Sequence, residues 1–138
     1  MDVVAGYKTG GQITGDIMID GIPKDTKTWK NIMGYAEQND ILNPYLSVLE
    51  TLRFTASCRL HRGVDREARV QEVIELMGLA NYAKFVVGRE LEGEGLPKHA
   101  RKRLTIAVQL VIRPKVLFLD EPTTGMYQYI EDPMYSSP

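Results

Sequence analysis

The sequence predicts an α/β fold, and three observations support this prediction. Residues 16–20 alternate polar and apolar side chains and lead into Asp20 and Gly21, a pattern typical of a strand that enters a hairpin turn. Residues 47–112 contain three stretches with helical spacing of apolar side chains. Residues 115–120 form a continuous apolar run that ends in an acid, which predicts a buried, parallel strand. Strands followed by a helical block and a further strand indicate the α/β class.

The N-terminal part of the chain predicts short elements. Residues 1–5 are mostly apolar and end at Gly6, which favours the last turn of a helix with Gly6 as its C-cap; a lone strand is the alternative. Residues 32–35 predict a second short strand, which leads into the polar loop 36–40.

The central part of the chain predicts three helices. The first begins at a capping box made by Ser47 and Glu50. Its predicted apolar face consists of Leu49, Leu52, Phe54 and Ala56, and Cys58 is expected to be buried beside them. The second helix runs from about residue 65 to 77 and ends at Gly78, and the third begins near Pro97 and stops at Pro114.

Composition excludes several classes of protein. The chain has 138 residues, 17 basic and 18 acidic side chains, and a net charge of −1, so no overall field favours nucleic acid. The longest mainly apolar run, residues 104–112, is far shorter than the roughly 20 residues that span a bilayer. A single cysteine favours a reducing compartment. We therefore expect a soluble, cytoplasmic chain that neither inserts into a membrane nor binds nucleic acid.

Three groups of residues are candidates for chemistry. Asp120 and Glu121 follow a predicted strand, at the sheet edge where nucleotides bind in open α/β folds; Asp120 would hold Mg²⁺ through water and Glu121 would orient an attacking water. A solvated turn after a buried strand is the alternative. Gln38 also follows a strand, although a loop amide is the commoner explanation. Residues 101–103 are basic where the helix macrodipole disfavours cations, so we expect an anion or acid nearby, or else a solvated helix face.

Taken together, four segments closely resemble the nucleotide-binding domain of ABC transporters, specifically the ABCG, pleiotropic-drug-resistance branch. The segments are residues 1–11, 34–41, 101–108 and 119–125, and they occur in the order and spacing of that family. The resemblance covers residues 1–125, which would form a partial ATP-binding domain of the P-loop NTPase class, and it leaves residues 126–138 as a divergent, loose tail.

The resemblance implies a role for individual residues. Gln38 matches the Q-loop glutamine, which senses Mg²⁺ and the attacking water; Asp120 matches the Walker B aspartate and Glu121 the catalytic glutamate. Residues 43 to about 88, within a helical block of about 43–112, match the helical subdomain that couples to the transmembrane domain. The implied parent protein hydrolyses ATP at the cytoplasmic face of a membrane to drive transport. Its partners are a transmembrane domain and a second nucleotide-binding domain.

The sequence also departs from the family pattern. No Gly-x-x-x-x-Gly-Lys-Ser/Thr motif occurs in the 138 residues, so nothing in them matches the phosphate-binding loop. The family's signature Leu-Ser-Gly-Gly-Gln falls on a degenerate nucleotide-binding segment: Leu96, Pro97, Lys98, His99 and Ala100. The family's later strand and switch histidine are not matched after Gly125. We therefore expect a truncated fragment, without the P-loop strand and the C-terminal part, which binds ATP weakly and is inactive alone.

Two other functions remain open at this point. The chain would be a non-catalytic interaction module if the helical block binds a transporter without hydrolysing ATP. A soluble ABC ATPase of the translation or DNA-repair kind is a further alternative, which the transporter-like segment 101–107 and the lack of a basic stripe disfavour.

Overall fold

The computed structural model describes residues 2–7, 10–12, 14–37, 42–89 and 95–120. Within them the helices and strands alternate as an α/β protein requires, which confirms the predicted fold class. In chain order these elements are α1 (Asp2–Ala5), β1 (Met18–Ile19), β2 (Ile22–Pro23), α2 (Thr26–Ile32), β3 (Met33–Ala36), α3 (Val48–Arg59), α4 (Arg66–Leu76), a 3₁₀ helix (Ala80–Tyr82), α5 (Lys98–Leu110) and β4 (Val116–Leu119).

The N-terminal helix end and the hairpin are both confirmed. Helix α1 is followed by Gly6, which has a φ of +88° and donates its N–H to the carbonyl of Val3 at 3.2 Å. Strands β1 and β2 pair antiparallel. The two residues between them, Asp20 and Gly21, have φ values of +49° and +78°. Two positive φ values make the type I′ turn, whose twist matches that of the flanking strands.

Helix α2 was not predicted from the sequence. Its N-cap is Asp25, whose carboxylate accepts a hydrogen bond from the N–H of Thr28 at 2.9 Å. The helix then buries Trp29, and Met33 already belongs to β3. Seven residues are too few for a clear apolar period. The acidic N-cap was the available signal.

The capping box of α3 is confirmed, but part of its predicted apolar face is wrong. The N–H of Glu50 donates to the Ser47 hydroxyl at 3.2 Å, and the Glu50 carboxylate accepts from the Ser47 N–H at 2.8 Å. Leu52 is fully buried, whereas Phe54 is 64% exposed. Two helical residues span about 200°, so the side chain of Phe54 points away from the core that Leu52 faces. Cys58 is likewise exposed rather than buried.

Helices α3, α4 and α5 share one hydrophobic core. Its buried members are Val48, Leu52, Ala56, Val70, Val73, Ile74, Leu79, Val87, Leu96, Ala100, Leu104, Ala107 and Val111. A second, smaller cluster is formed by Ala5, Trp29 and Met33. It packs against residues of β3 and β4, among them Tyr35 and Phe118. The extent of the helical block and of the partial domain remains a prediction. Among the described residues, no helix is long and apolar enough to cross a bilayer.

Strands β3 and β4 pair in parallel, as predicted for the second of them. The register joins Met33 to Val116 and Ala36 to Leu119. Helix α5 packs on β3. At this contact Gly34 is buried, and a Cβ placed on it would lie 2.9 Å from Leu117 Cδ1 and 3.1 Å from Gln109 Cβ. The strand β4 is half-buried, not buried as predicted. In the described part of the chain it pairs only with β3, so little covers its other side.

Substituting Gly34 tests this close packing. We expect Gly34→Ala to lower the free energy of unfolding by about 1–3 kcal/mol, because the new methyl group forces α5 and β4 away from β3. Urea denaturation followed by circular dichroism measures the change. Gly63→Ala is the matched control, because a Cβ at position 63 meets nothing within 4 Å. Equal stability of the two variants would contradict the packing described here.

Candidate functional site

The first candidate region is the edge where β3 and β4 both end. The register places Ala36 beside Leu119, and the N–H of Asp120 donates to the carbonyl of Ala36 at 3.0 Å. Asp120 is half-buried. No side chain in the described ranges hydrogen-bonds or ion-pairs with its carboxylate. Gln38 and Glu121, the other two predicted site residues, lie outside the described residues.

The second candidate region is the start of α5, at residues 96–100. Leu96 is buried, and its N–H donates to the carbonyl of Val87 at 3.1 Å. Pro97 is the N-cap of α5, so the helix begins at Lys98, near Pro97 as predicted, and no side chain caps the helix there. Lys98 is exposed, whereas Ala100 is fully buried. The segment therefore begins a helix whose first N–H groups have no side-chain cap.

His99 packs against the 3₁₀ helix. Its ring lies edge-on to the ring of Tyr82 with centroids 5.8 Å apart, and its Nε2 is 3.3 Å from the Tyr82 hydroxyl oxygen. Burial lowers the pKa of His99, and the nearby positive charge of Arg103 lowers it further. The imidazole is therefore mostly neutral at pH 7.

The basic residues of α5 have partners that the sequence did not suggest. Arg101 and Lys102 are only 6% and 7% exposed, which excludes a solvated helix face for these two residues. Arg101 donates to the carbonyl oxygens of Val87 and Gly88 at 2.8 and 3.1 Å. Lys102 donates from Nζ to the carbonyl oxygen of Glu37 at 3.0 Å. These contacts are made to main-chain carbonyls, and the anion or acidic partner that we expected near residues 101–103 stays a prediction.

Gly95 completes the packing around Arg101. Its φ is +97°, and a Cβ on it would lie 2.4 Å from the carbonyl oxygen of Val87. Only glycine fits such a close approach to a neighbouring main chain. Residues 87–88 are thus held between Gly95 and Arg101, which fixes the approach of the chain to the start of α5.

A buried arginine, paired with a half-exposed glutamate, caps the other end of α5. Arg69, on α4, is 6% exposed and donates to the carbonyl oxygen of Val111 at 3.0 Å, and also to that of Leu110. Glu72 accepts from Arg69 at 2.8 Å and from Arg113 at 2.9 Å, and these two guanidinium groups lower the pKa of Glu72. The cationic cap suits the negative end of the helix dipole. This group was not predicted from the sequence, although Arg69 and Glu72 have the i,i+3 spacing of a helical ion pair.

Within the described residues, protein side chains alone do not form a metal-binding site. Those residues contain no group of three or more His, Cys, Asp or Glu side chains that could hold an ion. Asp120 is thus a single carboxylate at a strand end, a type of ligand that Mg²⁺ accepts when waters and phosphate oxygens fill its other positions.

Most of the chain matches one known protein family. The family model described as "ABC transporter" matches residues 3–124. That match covers most of the chain, including β3, β4 and α5, so the chain belongs to the ABC transporter family.

Individual relatives give the group within the family. The chain is 52% identical over 130 residues to "ABC transporter G family member 39" of Oryza sativa subsp. japonica and 49% identical to "ABC transporter G family member 32" of Arabidopsis thaliana. It is 50% identical to "Pleiotropic drug resistance protein 1" of Nicotiana tabacum. Each alignment covers 91% of this chain and 9% of the relative. These matches confirm the predicted G-family, pleiotropic-drug-resistance resemblance, and the chain spans only about a tenth of each relative.

The environment of His99 gives a testable pH dependence. We expect its ring protons to titrate with a midpoint below the ordinary value of 6.5, because burial and Arg103 disfavour the charged form. The unfolded chain then binds this proton more tightly than the folded one, so stability falls as pH drops below 6.5 and through the folded-state pKa of His99. NMR titration measures the midpoint.

Two variants serve to assign the effect. His99→Gln should weaken the pH dependence of unfolding in this range, and His61→Gln, which removes an exposed histidine, should preserve the contribution of His99. A midpoint for His99 at or above 6.5 would show that its ring is not held as described.

Proposed function

We propose that this chain is part of the ATP-hydrolysing domain of a G-family transporter and supplies the Mg²⁺ side of its nucleotide site. The observation that carries the proposal is the parallel pairing of β3 and β4, which ends both strands at one edge. Asp120 follows β4 at that edge, and Glu37 follows β3 there. In open α/β folds this is the edge at which nucleotides bind.

Roles for three residues follow from this placement. Asp120 would hold Mg²⁺ through water, because its carboxylate has no partner within the described part of the chain. Gln38 is adjacent in sequence to Glu37 and would contact the same ion and the attacking water; Glu121 would orient or deprotonate that water. Bound Mg²⁺ supplies positive charge that stabilises the transferring phosphoryl group.

The fit of this chain to ATP is incomplete. The carboxylate of Asp120 suits Mg²⁺, but no Gly-x-x-x-x-Gly-Lys-Ser/Thr loop occurs in the 138 residues to bind the β- and γ-phosphates. We infer that this chain alone binds Mg-ATP weakly and that hydrolysis belongs to a longer protein.

The start of α5 would face a second nucleotide-binding domain. In the family arrangement the signature segment of one domain closes the ATP site of the other, and here that segment is residues 96–100. Pro97 has no N–H to offer a phosphate, and Lys98 and His99 stand where the family has small glycines. We infer that this segment closes a composite site poorly.

The proposed partners follow from the family. The helical block would contact a transmembrane domain, and a second nucleotide-binding domain would complete the dimer, with both ATPase domains at the cytoplasmic face of the membrane. The resulting activity is transport driven by ATP hydrolysis. Binding without hydrolysis is the alternative function for the 138 residues, and the family match and the transporter relatives favour the ATPase-domain function over it.

Cation binding at Asp120 can be tested on the chain itself. We expect Mn²⁺, a paramagnetic substitute for Mg²⁺, to broaden the amide signals of Ala36 and Leu119 in NMR spectra, because both flank Asp120. Asp120→Asn should remove most of this broadening. Asp16→Asn, which alters an exposed carboxylate, is the control and should leave it intact. Unchanged broadening in Asp120→Asn would refute the proposed cation site.

The altered signature can be tested in a transporter-length protein that contains this chain. Changing Pro97→Ser, Lys98→Gly and His99→Gly together should raise ATP turnover at saturating Mg-ATP, because small residues allow the main chain to approach the phosphates. The same protein with Lys84→Gly, a change at an exposed lysine outside the segment, is the comparison. Equal turnover in all three proteins would count against a role for the segment in closing the site.

A further inference from the structure

Two consecutive carbonyl groups at the end of β3, those of Ala36 and Glu37, connect different parts of the molecule. The carbonyl oxygen of Ala36 accepts the N–H of Asp120 at 3.0 Å. The carbonyl oxygen of Glu37, the next residue, accepts the side-chain ammonium of Lys102 at 3.0 Å. The strand edge that carries Asp120 is therefore joined to α5 through two consecutive peptide groups.

The contact made by Lys102 is stronger than an ordinary surface hydrogen bond. The side chain is 7% exposed, so its ammonium group has little access to water and depends on protein acceptors. A hydrogen bond from a charged donor is roughly twice as strong as a neutral one. The hydrogen bond from the Lys102 ammonium therefore holds the main chain of Glu37 in place.

Arg101 makes the matching contact on the other side. It precedes Lys102 in α5 and donates to the carbonyl oxygens of Val87 and Gly88, in the segment that leads to the helix. The start of α5 is thus tied by one cation to residues 87–88 and by the next cation to the end of β3. Two adjacent side chains fix the helix relative to both candidate regions.

We propose that Lys102 is a positioning residue that holds the strand edge bearing Asp120 in a fixed place relative to the first turn of α5. It acts through the main chain of Glu37 and does not itself bind the cation. Its importance for nucleotide chemistry rests on the function proposed above. The mechanical link between α5 and the strand edge does not depend on that function.

The amide of Asp120 is a direct reporter of this link. We expect Lys102→Met, which keeps most of the side-chain stem and removes the charge, to accelerate hydrogen exchange of the Asp120 N–H by about tenfold or more, since charged hydrogen bonds stabilise by at least about 1.5 kcal/mol. The Thr51 N–H, which donates to the carbonyl oxygen of the N-cap Ser47 in the first turn of α3, should keep its exchange rate. Lys102→Arg should largely restore protection at Asp120, because it retains a cation and its donors.

Lys84→Met is the matched control, because it makes the same substitution at an exposed lysine and should not change hydrogen exchange at the Asp120 amide. The proposal is overturned if Lys102→Met leaves exchange at Asp120 unchanged, if Lys102→Arg fails to restore it, or if Lys84→Met accelerates it equally. If the Lys102→Met variant does not fold, a measurement on the wild-type chain tests the proposal instead. A scalar coupling across the hydrogen bond between Lys102 Nζ and the Glu37 carbonyl carbon supports the proposal, and its absence overturns it.

These measurements need neither nucleotide nor metal ion. Failure of Mn²⁺ to broaden the signals near Asp120 would therefore refute the proposed cation site and leave the link from Lys102 standing. Unchanged exchange in Lys102→Met would refute the link and leave the cation site standing.

Discussion

The parallel pairing of β3 and β4 is the constraint on which the rest of the structure depends. Parallel strands cannot be joined by a tight turn, so the chain must cross over between them. Here the crossover is the whole helical block, α3 to α5, which forms its own hydrophobic core before β4 returns beside β3. The position of Asp120 is consequently set by elements from both ends of the described chain. The site and the helical core are parts of one arrangement.

Close packing makes that pairing specific. Gly34 allows α5 to approach β3, while Arg69 fastens the far end of α5 to α4 just before the chain enters β4. Main-chain carbonyls accept the hydrogen bonds of Arg69, Arg101 and Lys102. Burying a charged group is costly unless it is hydrogen-bonded, and these carbonyls supply the needed acceptors. The basic residues of α4 and α5 thus help to hold the fold together in addition to any role toward a nucleotide.

Several features could be predicted because they depend on local chemistry. The turn at Asp20 and Gly21, the capping box of Ser47 and Glu50, and the apolar run of β4 each carry their signal within a few residues. The position of Asp120 at a parallel strand end followed from the same kind of argument.

Other features depend on contacts between distant residues and could not be predicted in this way. A local pattern does not show which side of α3 meets its neighbours, so Phe54 and Cys58 were placed on the wrong side. Nor does it show that Arg101 and Lys102 lose their water, because that depends on residues 87–88 and 37 folding over them. A short helix such as α2 gives little periodicity to detect. Gln38 and Glu121 remain predictions, because they lie outside the described residues.

The exposed position of Cys58 has a practical consequence. It is the single cysteine of the 138 residues and lies on α3, within the helical block. A thiol-reactive fluorophore or nitroxide would therefore attach at one defined point without any engineered cysteine. Distances from that point to a second label beside the strand edge would report directly whether the helical block and the paired strands move as a unit.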